Sequence, residues 1–342
     1  MWSKKRLKGE RMSFSKRLGE REVIRTICKH LDVMPEMPIP FGDDVSAYNI
    51  GDDNLAIIKT DMLVDKTDVP PGMSVWQAAR KAVVMNVSDF AAKGVKPVVI
   101  LVSLGIPTKL DRKAVEQIGR GLNAGAREYY THVVGGDTNE ASDLIISLSV
   151  FGTAKKDTLM LRSGAKPGDL VAVTGLFGKT LAGLKILLNG LKAPKRIDKV
   201  LVNSVLMPYA RLDEGLALSR TEAVTASIDS SDGLAWSLHE IAEASRVGFL
   251  INKLPVAKEV EEFARINDLD PLELTLYGGE EYELVLTIKP DRWRKAEEAI
   301  KKVGGNLLPI GKVTAKKQAL LEINGEKYSI EPRGWEHLST KE

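Results

Sequence analysis

The sequence is poor in the residues that carry most metal and nucleophile chemistry. It holds one cysteine, Cys28, so no intramolecular disulfide framework can form, and a reducing, cytosolic setting is the default. Cys28 lies in TICKHLD between Ile27 and Lys29, which reads as a buried or half-buried helical thiol rather than a nucleophile. The four histidines, His30, His132, His239 and His337, stand near no second histidine or cysteine. No zinc spacing exists, and each reads as structural or solvated. Glutamine is scarce beside abundant Lys, Arg and Glu, a mild thermophile signature. The formal net charge of +3 gives no global drive towards nucleic acid or membrane. Long apolar runs are missing too. The longest, VVILVSLGI at 98–106, is too short to span a bilayer and suits a buried strand. The N-terminal stretch MWSKKRLKGERMSFSKRLGER is basic but has no apolar run. Residues 1–18 are therefore expected to form a solvated extension rather than a secretory signal, with Met12 as an alternative start.

What remains is a soluble globular composition, 44% apolar and 28% charged over 342 residues, long enough for two domains. The pattern alternates strands and helices. Ser74 caps a helix through SVWQAARKAVVMNVSDFAAKG that ends at Gly94, with Val75, Ala78, Ala79, Ala82 and Val83 at helical spacing. The strand PVVILVSLG follows, then a helix from about Asp111 to Tyr130, a short strand ending in VVGGDTN, and the strand LIISLSVFG. Turn formers in LMLRSGAKPGD, 159–169, mark a boundary. A second half then runs through strand LVAVTG, helix KTLAGLKILLNG, a long helix around Arg211, turn IDSSDGL, helix LAWSLHEIAEAS, turn YGGEEYEL and strand ELVLTI. A helix near Lys295 and strands near Ile310 and Leu320 close the chain.

Acidic residues cluster at these turns. FGDDVSAYNIGDDNLAIIKTD carries Asp43, Asp44, Asp52, Asp53 and Asp61, with no basic residue before Lys59. Side chains packed this densely repel unless a cation sits among them. Further clusters are NVSDF with Asp89, GGDTN with Asp137, IDSSD with Asp229 and Asp232, and YGGEEYE with Glu280 and Glu281. Any one of them alone reads as an Asx turn or helix cap. Together, hard carboxylate oxygens beside glycines favour magnesium and phosphate, hence a nucleoside triphosphate site. GLFGKT at 175–180 resembles a phosphate loop, but a Walker motif needs glycine where Val173 stands. Kinase HRD and DFG motifs are also missing.

Taken in order, GDD, KTDMLV, NVSDFAAKG, GGDTN, LRSGAKPGD, IDSSDGL and GGEEYEL resemble the thiamine-monophosphate kinases, within the ATP-binding superfamily of aminoimidazole ribonucleotide synthetase, from about Gly19 to Trp335. The resemblance implies an α/β (α+β) two-domain fold. Residues 19–155 would bind ATP and metal and pair in a homodimer as a β-barrel-like interface, and residues 156–342 would form a C-terminal α/β half. It also implies several Mg2+ ions on Asp44, Thr60, Asp61, Asp89, Asp137, Asp229 and Asp232. ATP would be met by Gly136, Asp137, Arg162 and Ser231, and thiamine monophosphate by Asp68, Glu280 and Trp335, with Gly334 beside it. Asp137, Arg162 and Asp229 would act on the transferring phosphoryl group. Lys59 stands where many bacterial members carry Ser or Thr, and Asp68 where many carry His.

The implied reaction is direct in-line transfer from ATP to thiamine monophosphate, giving thiamine diphosphate in the cytoplasm without nucleic-acid or membrane partners. The rivals are a relative acting on another acceptor and a non-catalytic nucleotide-binding scaffold. A selenide enzyme would carry a reactive cysteine that Cys28 does not resemble.

Overall fold

A computed structural model describes residues 18–338, so residues 1–17 of the expected basic extension lie outside the described residues. The described residues form two units, one of residues 18–35 with 335–338 and one of Glu36–Gly334. In the first, helix α1 (Glu20–Cys28) carries Cys28 half-buried at its last position. Within the same unit the Arg21 backbone N–H donates to Glu336 Oε1 at 3.2 Å. The Trp335 ring stands edge-on to His337 with centroids 5.8 Å apart.

The second unit begins with the hairpin β1 (Ser46–Gly51) and β2 (Asn54–Val64). Asp52 and Asp53, both at positive φ, make its turn, so these two acids serve chain reversal, as short polar side chains often do. After α2 (Asp65–Asp68) comes α3 (Val75–Lys93). Ser74 and Gln77 form a reciprocal capping box at its start, and Gly94 ends it at φ 66°, the left-handed cap that glycine adopts without cost. Next are β3 (Pro97–Ile106), α4 (Arg112–Glu128), β4 (His132–Glu140) and β5 (Ile145–Lys155). These five strands lie in the order β1-β2-β5-β3-β4.

The chain continues through β6 (Leu170–Val173), α5 (Lys179–Asn189), α6 (Lys195–Leu206), α7 (Leu212–Ser219) and β7 (Val224–Asp229). Then follow α8 (Leu234–Ser245), β8 (Gly248–Ile251), α9 (Lys258–Asn267), α10 (Pro271–Tyr277), β9 (Leu284–Ile288), α11 (Trp293–Lys302), β10 (Leu308–Thr314), β11 (Ala319–Ile323) and β12 (Glu326–Ser329). The second sheet has the order β12-β11-β8-β10-β6-β9-β7, with β11 and β8 parallel. The expected boundary at 159–169 is a loop with no helix or strand. No gap in packing accompanies it, because one hydrophobic core draws Ile57, Val87 and Leu148 together with Leu212, Leu284 and Ile300.

Two expectations change. The run VVILVSLGI forms β3, but alternately buried: Ile100 is sealed while Leu101 is 50% exposed. Its sheet is covered by α3 on one face and open on the other, the arrangement that gives period-two burial. The long helix expected around Arg211 is two, α6 and α7, broken at Met207, Pro208 and the residues before Arg211. Proline disfavours helical backbone in the residue before it, and Met207 leaves the helix at φ −136°, ψ 59°. Helix α3 is nearly all buried, because α4 and α7 flank it and both sheets meet it. It therefore carries charged side chains, Lys81, Asp89 and Lys93, through the interior.

Candidate active site and metal centre

Three elements deliver one carboxylate each to a common point. Asp44 comes from the loop before β1, Asp89 from α3, and Asp229 from the last position of β7. All three are buried, and a carboxylate oxygen of each lies within 4.8 Å of those of the other two. The oxygens are held in place. Ser88 Oγ donates to Asp229 Oδ2 at 2.6 Å. Lys93 Nζ, fully buried, lies 2.7 Å from Asp44 Oδ2 and 2.7 Å from Asp43 Oδ1, and also donates to the Ser227 carbonyl at 2.8 Å. Arg162 donates to Asp44 Oδ1 through Nε at 2.8 Å and also through Nη2, and meets the Gly42 carbonyl and Glu240. Lys59 Nζ lies 2.9 Å from Asp89 Oδ2.

These partners divide the triad electrostatically. Burial pushes the Asp44 carboxyl up, but Lys93 and Arg162 outweigh it and hold it below its ordinary value. Asp89 ends well above the ordinary range. Burial is the main cause; Lys59 opposes it, and repulsion from Asp229, Asp44 and Asp61 adds to it. Asp229 is pushed up to about 6, first by burial and then by the Asp44 charge, against the Ser88 hydrogen bond and Lys59. Two of the three carboxylates thus resist ionising together without more positive charge. Buried, oxygen-only and crowded, the set fits a hard divalent cation, and magnesium sites of this kind keep waters and share phosphates.

The remaining sequence-predicted residues separate along the first sheet. Rows run across it as Lys59–Val150–Ile100–Val133 and Asp61–Leu148–Val102–Gly136. Leu148 and Ile100 are fully buried, so Lys59 and Asp61 lie on the helix-covered face, where both charges bear on one another. The alternate rows, Thr60–Ser149–Leu101–Gly135 and Met62–Ser147–Ser103–Asp137, lie on the open face. Thr60 and Asp137 are therefore not brought to the triad. The Thr60 hydroxyl donates to the Leu148 carbonyl at 2.9 Å, and Asp137 is exposed. Gly136 stands three strand spacings from Asp61, about 14 Å. A Cβ at Gly136 would come within 1.8 Å of the Val102 carbonyl oxygen, so close strand approach alone requires glycine there.

Asp232 and Ser231 sit in the turn between β7 and α8, where Ser231 is exposed and Asp232 half-buried. The Ser231 carbonyl accepts the Glu280 N–H at 2.6 Å, and the Ser230 carbonyl accepts that of Tyr282 at 3.0 Å. Gly334 packs on the Asp232 carbonyl, 2.1 Å from where its Cβ would be. In the YGGEEYEL turn, Glu280 and Tyr282 both take positive φ, and Glu280 pairs with buried Lys81 at 2.5 Å. Glu281 caps α5, accepting the Gly178 and Thr180 N–H groups at 2.7 and 3.1 Å. The chain's own carboxylate thus fills the anion position that GLFGKT suggested for a phosphate. Asp68 is buried and holds its own loop, its Oδ2 accepting the Val64 N–H at 2.7 Å and its carbonyl accepting Lys81 Nζ at 2.8 Å. Trp335 belongs to the other unit.

Sequence reasoning missed the internal cations Lys81 and Lys93 and the hydroxyl of Ser88. One signal was available. Lys93 falls four residues after Asp89 on a helix whose other positions are largely apolar, so these two charges share a face that must be buried.

Comparison with known proteins places this geometry. The family model for AIR synthase related protein, N-terminal domain, matches residues 42–154, and that for the C-terminal domain matches 166–323. The chain is 37% identical over 322 residues to a thiamine-monophosphate kinase of Nitrosopumilus maritimus, covering 94% of this chain and 99% of that protein. It is 38% identical over 324 residues to one of Pyrococcus horikoshii, covering 94% and 97%. The chain belongs to the thiamine-monophosphate kinase family. A solved structure of AaThiL complexed with AMPPCP and TMP superposes with a TM-score of 0.82 at 29% identity, covering 95% of this chain and 100% of that one. The carboxylate triad draws Asp44 and Asp89 from the N-terminal family segment and Asp229 from the C-terminal one, so the centre of this kinase-family chain needs both halves folded together. Among the described residues no helix is long and apolar enough to cross a membrane.

Proposed function

We propose that this chain transfers the γ-phosphoryl group of ATP to thiamine monophosphate, giving thiamine diphosphate and ADP. The observation that carries this reading is the buried Asp44–Asp89–Asp229 centre, built jointly by both halves of a chain that thiamine-monophosphate kinases match over 94% of its length. Several Mg2+ ions serve as cofactors; when bound, they neutralise phosphate charge and hold both phosphates in register. Asp44, Asp89 and Asp229 hold metal, with Asp61 and Asp232 beside them. Arg162 and Ser231 meet nucleotide phosphates, for which the Arg162 guanidinium exchanges part of its contact with Asp44 and Glu240. Lys81 holds Glu280 towards the acceptor.

A phosphate-monoester acceptor is already ionised at neutral pH and needs no general base, in keeping with acidic motifs that contain no histidine or cysteine. The chemistry is then positioning and charge stabilisation, and a single in-line displacement inverts configuration at phosphorus. ATP consumption that depends on thiamine monophosphate, tested against a panel of phosphorylated acceptors, checks the proposal. Acceptor-independent ATP hydrolysis, or preference for another acceptor, would reject it.

The reading extends to assembly. The open face of the first sheet exposes Tyr48, Ile58, Met62, Leu101, Val134 and Phe151, and every residue of β4 is exposed. An apolar patch of this kind marks an interaction surface, and we assign it to a homodimer that closes the sheet against its copy. Asp137 and Thr60 lie on that face and act only in the dimer, with Gly136 on the preceding position of the same strand as Asp137. The half ending at residue 155 accordingly carries dimerisation as well as metal, and the half from 156 completes the nucleotide site. Asp68 and Trp335 carry no part in this assignment. A cytoplasmic location follows from the reducing setting that a single cysteine suits.

A further inference from the structure

The strongest unassigned feature is Lys59. Strand β2 places it on the covered face of the first sheet, one turn of the pleat from Asp61. Its ammonium lies 2.9 Å from Asp89 Oδ2, with the lysine side chain 22% exposed and that of Asp89 9% exposed. Asp89 is one of the three carboxylates that converge within 4.8 Å. The other two have their own arrangements. Asp44 is flanked by Lys93 and Arg162, and the Asp229 carboxylate accepts the Ser88 hydroxyl. Each cation therefore has a distinct place, and the place beside Asp89 Oδ2 is filled by an ammonium.

We propose that the Lys59 ammonium stands in for one divalent cation beside Asp89, so that the active centre binds one metal ion fewer than its carboxylates would otherwise take. This rests on the kinase reading above and deepens it. A magnesium ion would need that oxygen at about 2.0–2.1 Å. An ammonium donating to the same atom blocks the approach by occupying the lone-pair side and by repelling a second cation. Lys59 supplies the positive charge permanently, whereas an ion must be taken up with substrate. A lysine that instead contacted a phosphate directly would weaken nucleotide binding on removal without altering the number of ions.

The test counts metal on the full chain with the non-hydrolysable nucleotide AMPPCP, by Mn2+ equilibrium dialysis with paramagnetic resonance detection of free ion. Lys59→Met and Lys59→Ser should each bind one more Mn2+ per chain than the parent, and Lys59→Arg should keep the parental count. An unchanged count in Lys59→Met and Lys59→Ser would overturn the proposal, as would an extra ion in Lys59→Arg. Melting gives a second readout that needs no turnover. In EDTA, Lys59→Met should melt below the parent because Asp89 loses its partner, and Mn2+ should restore most of the difference. A deficit that Mn2+ leaves untouched would count against metal taking the ammonium's place. These outcomes are independent of the acceptor, so failure of thiamine monophosphate as substrate leaves the ion count interpretable.

Discussion

Replacing Lys93 with methionine isolates the electrostatic design of the centre. Methionine nearly matches the lysine stem in volume and removes only the ammonium. That ammonium is fully buried and touches Asp43, Asp44 and the Ser227 carbonyl at 2.7, 2.7 and 2.8 Å. Removing one partner of a buried pair costs about 3–5 kcal/mol, because the remaining charge is left without compensation. Unfolding entropy near the midpoint is about 2.1 cal/mol/K per residue, which for this 342-residue chain is roughly 0.7 kcal/mol/K. The melting temperature at neutral pH should therefore fall by about 4–7 °C. The pH dependence has a definite sign. In the parent, Asp44 lies below its ordinary value, so it contributes stability above that value which is lost as pH falls through the folded pKa. In Lys93→Met, burial acts with less opposition and Asp44 moves up. The variant then loses stability as pH rises from about 4 towards neutrality, because its folded state holds more protons than its unfolded state. The deficit should be largest at pH 7 and shrink towards pH 4. Differential scanning calorimetry in EDTA across that range reads both quantities. A variant melting within 1 °C of the parent at pH 7, or a deficit that widens on acidification, would refute the reasoning.

Other expectations follow from the same geometry. Burial, opposed by Lys179 and the α5 N–H groups, pushes Glu281 up to about 7, so the parent should lose stability as pH rises from about 4.5 through 7. Glu281→Gln should lack that slope, and parallel melting profiles for the two proteins would argue against the assignment. Asp229→Asn should cut turnover at least ~100-fold, on the scale of lost charge stabilisation at a reacting phosphate, and should shrink the rise in melting temperature given by Mg2+ with ATP. A full ligand-induced rise in the variant would remove Asp229 from the metal set. Mg2+ with ATP should itself raise the parent's melting temperature over EDTA with ATP by binding the native state alone; identical melts would end the multi-metal reading. Leu101→Asp on the open sheet face should yield monomers in sedimentation velocity while leaving far-UV circular dichroism intact, and an unchanged dimer would move the interface elsewhere.

Much of the fold was legible because local signals agreed with one another. Ser74 and Gly94 marked both ends of α3, and Asp111 the approximate start of α4; the Ser74 cap is made as expected, and the structure adds the Gln77 half of its capping box and an Asp111 cap on α4. The errors lie where tertiary context decides. VVILVSLGI has the composition of a strand buried on both faces, yet only one face of its sheet is covered within the chain, a fact that no residue in the run records. The break before α7 was signalled by Pro208 but masked by helical spacing on both sides of it.

The candidate site divides along the same physical line. Carboxylates beside glycine and serine turns identify themselves as chemistry because a dense acidic cluster needs explaining, and Asp44, Asp89 and Asp229 do converge. Which acids converge is set by strand parity. Asp61 and Thr60 are neighbours in sequence, yet one faces the helices and the other the open side, and Asp137 falls with Thr60. Motif order cannot reveal this, since shifting a register by one residue exchanges the two faces while leaving the motifs unchanged. The cations were hidden for a different reason. A lysine in a helix reads as a solvated surface residue, and only the packing of α3 between its neighbours turns Lys81 and Lys93 inward. Density of aspartate therefore overstates the demand for metal. The chain supplies part of the positive charge itself, through Lys59, Lys93 and Arg162, and Asp89 and Asp229 are the carboxylates whose charge it compensates least.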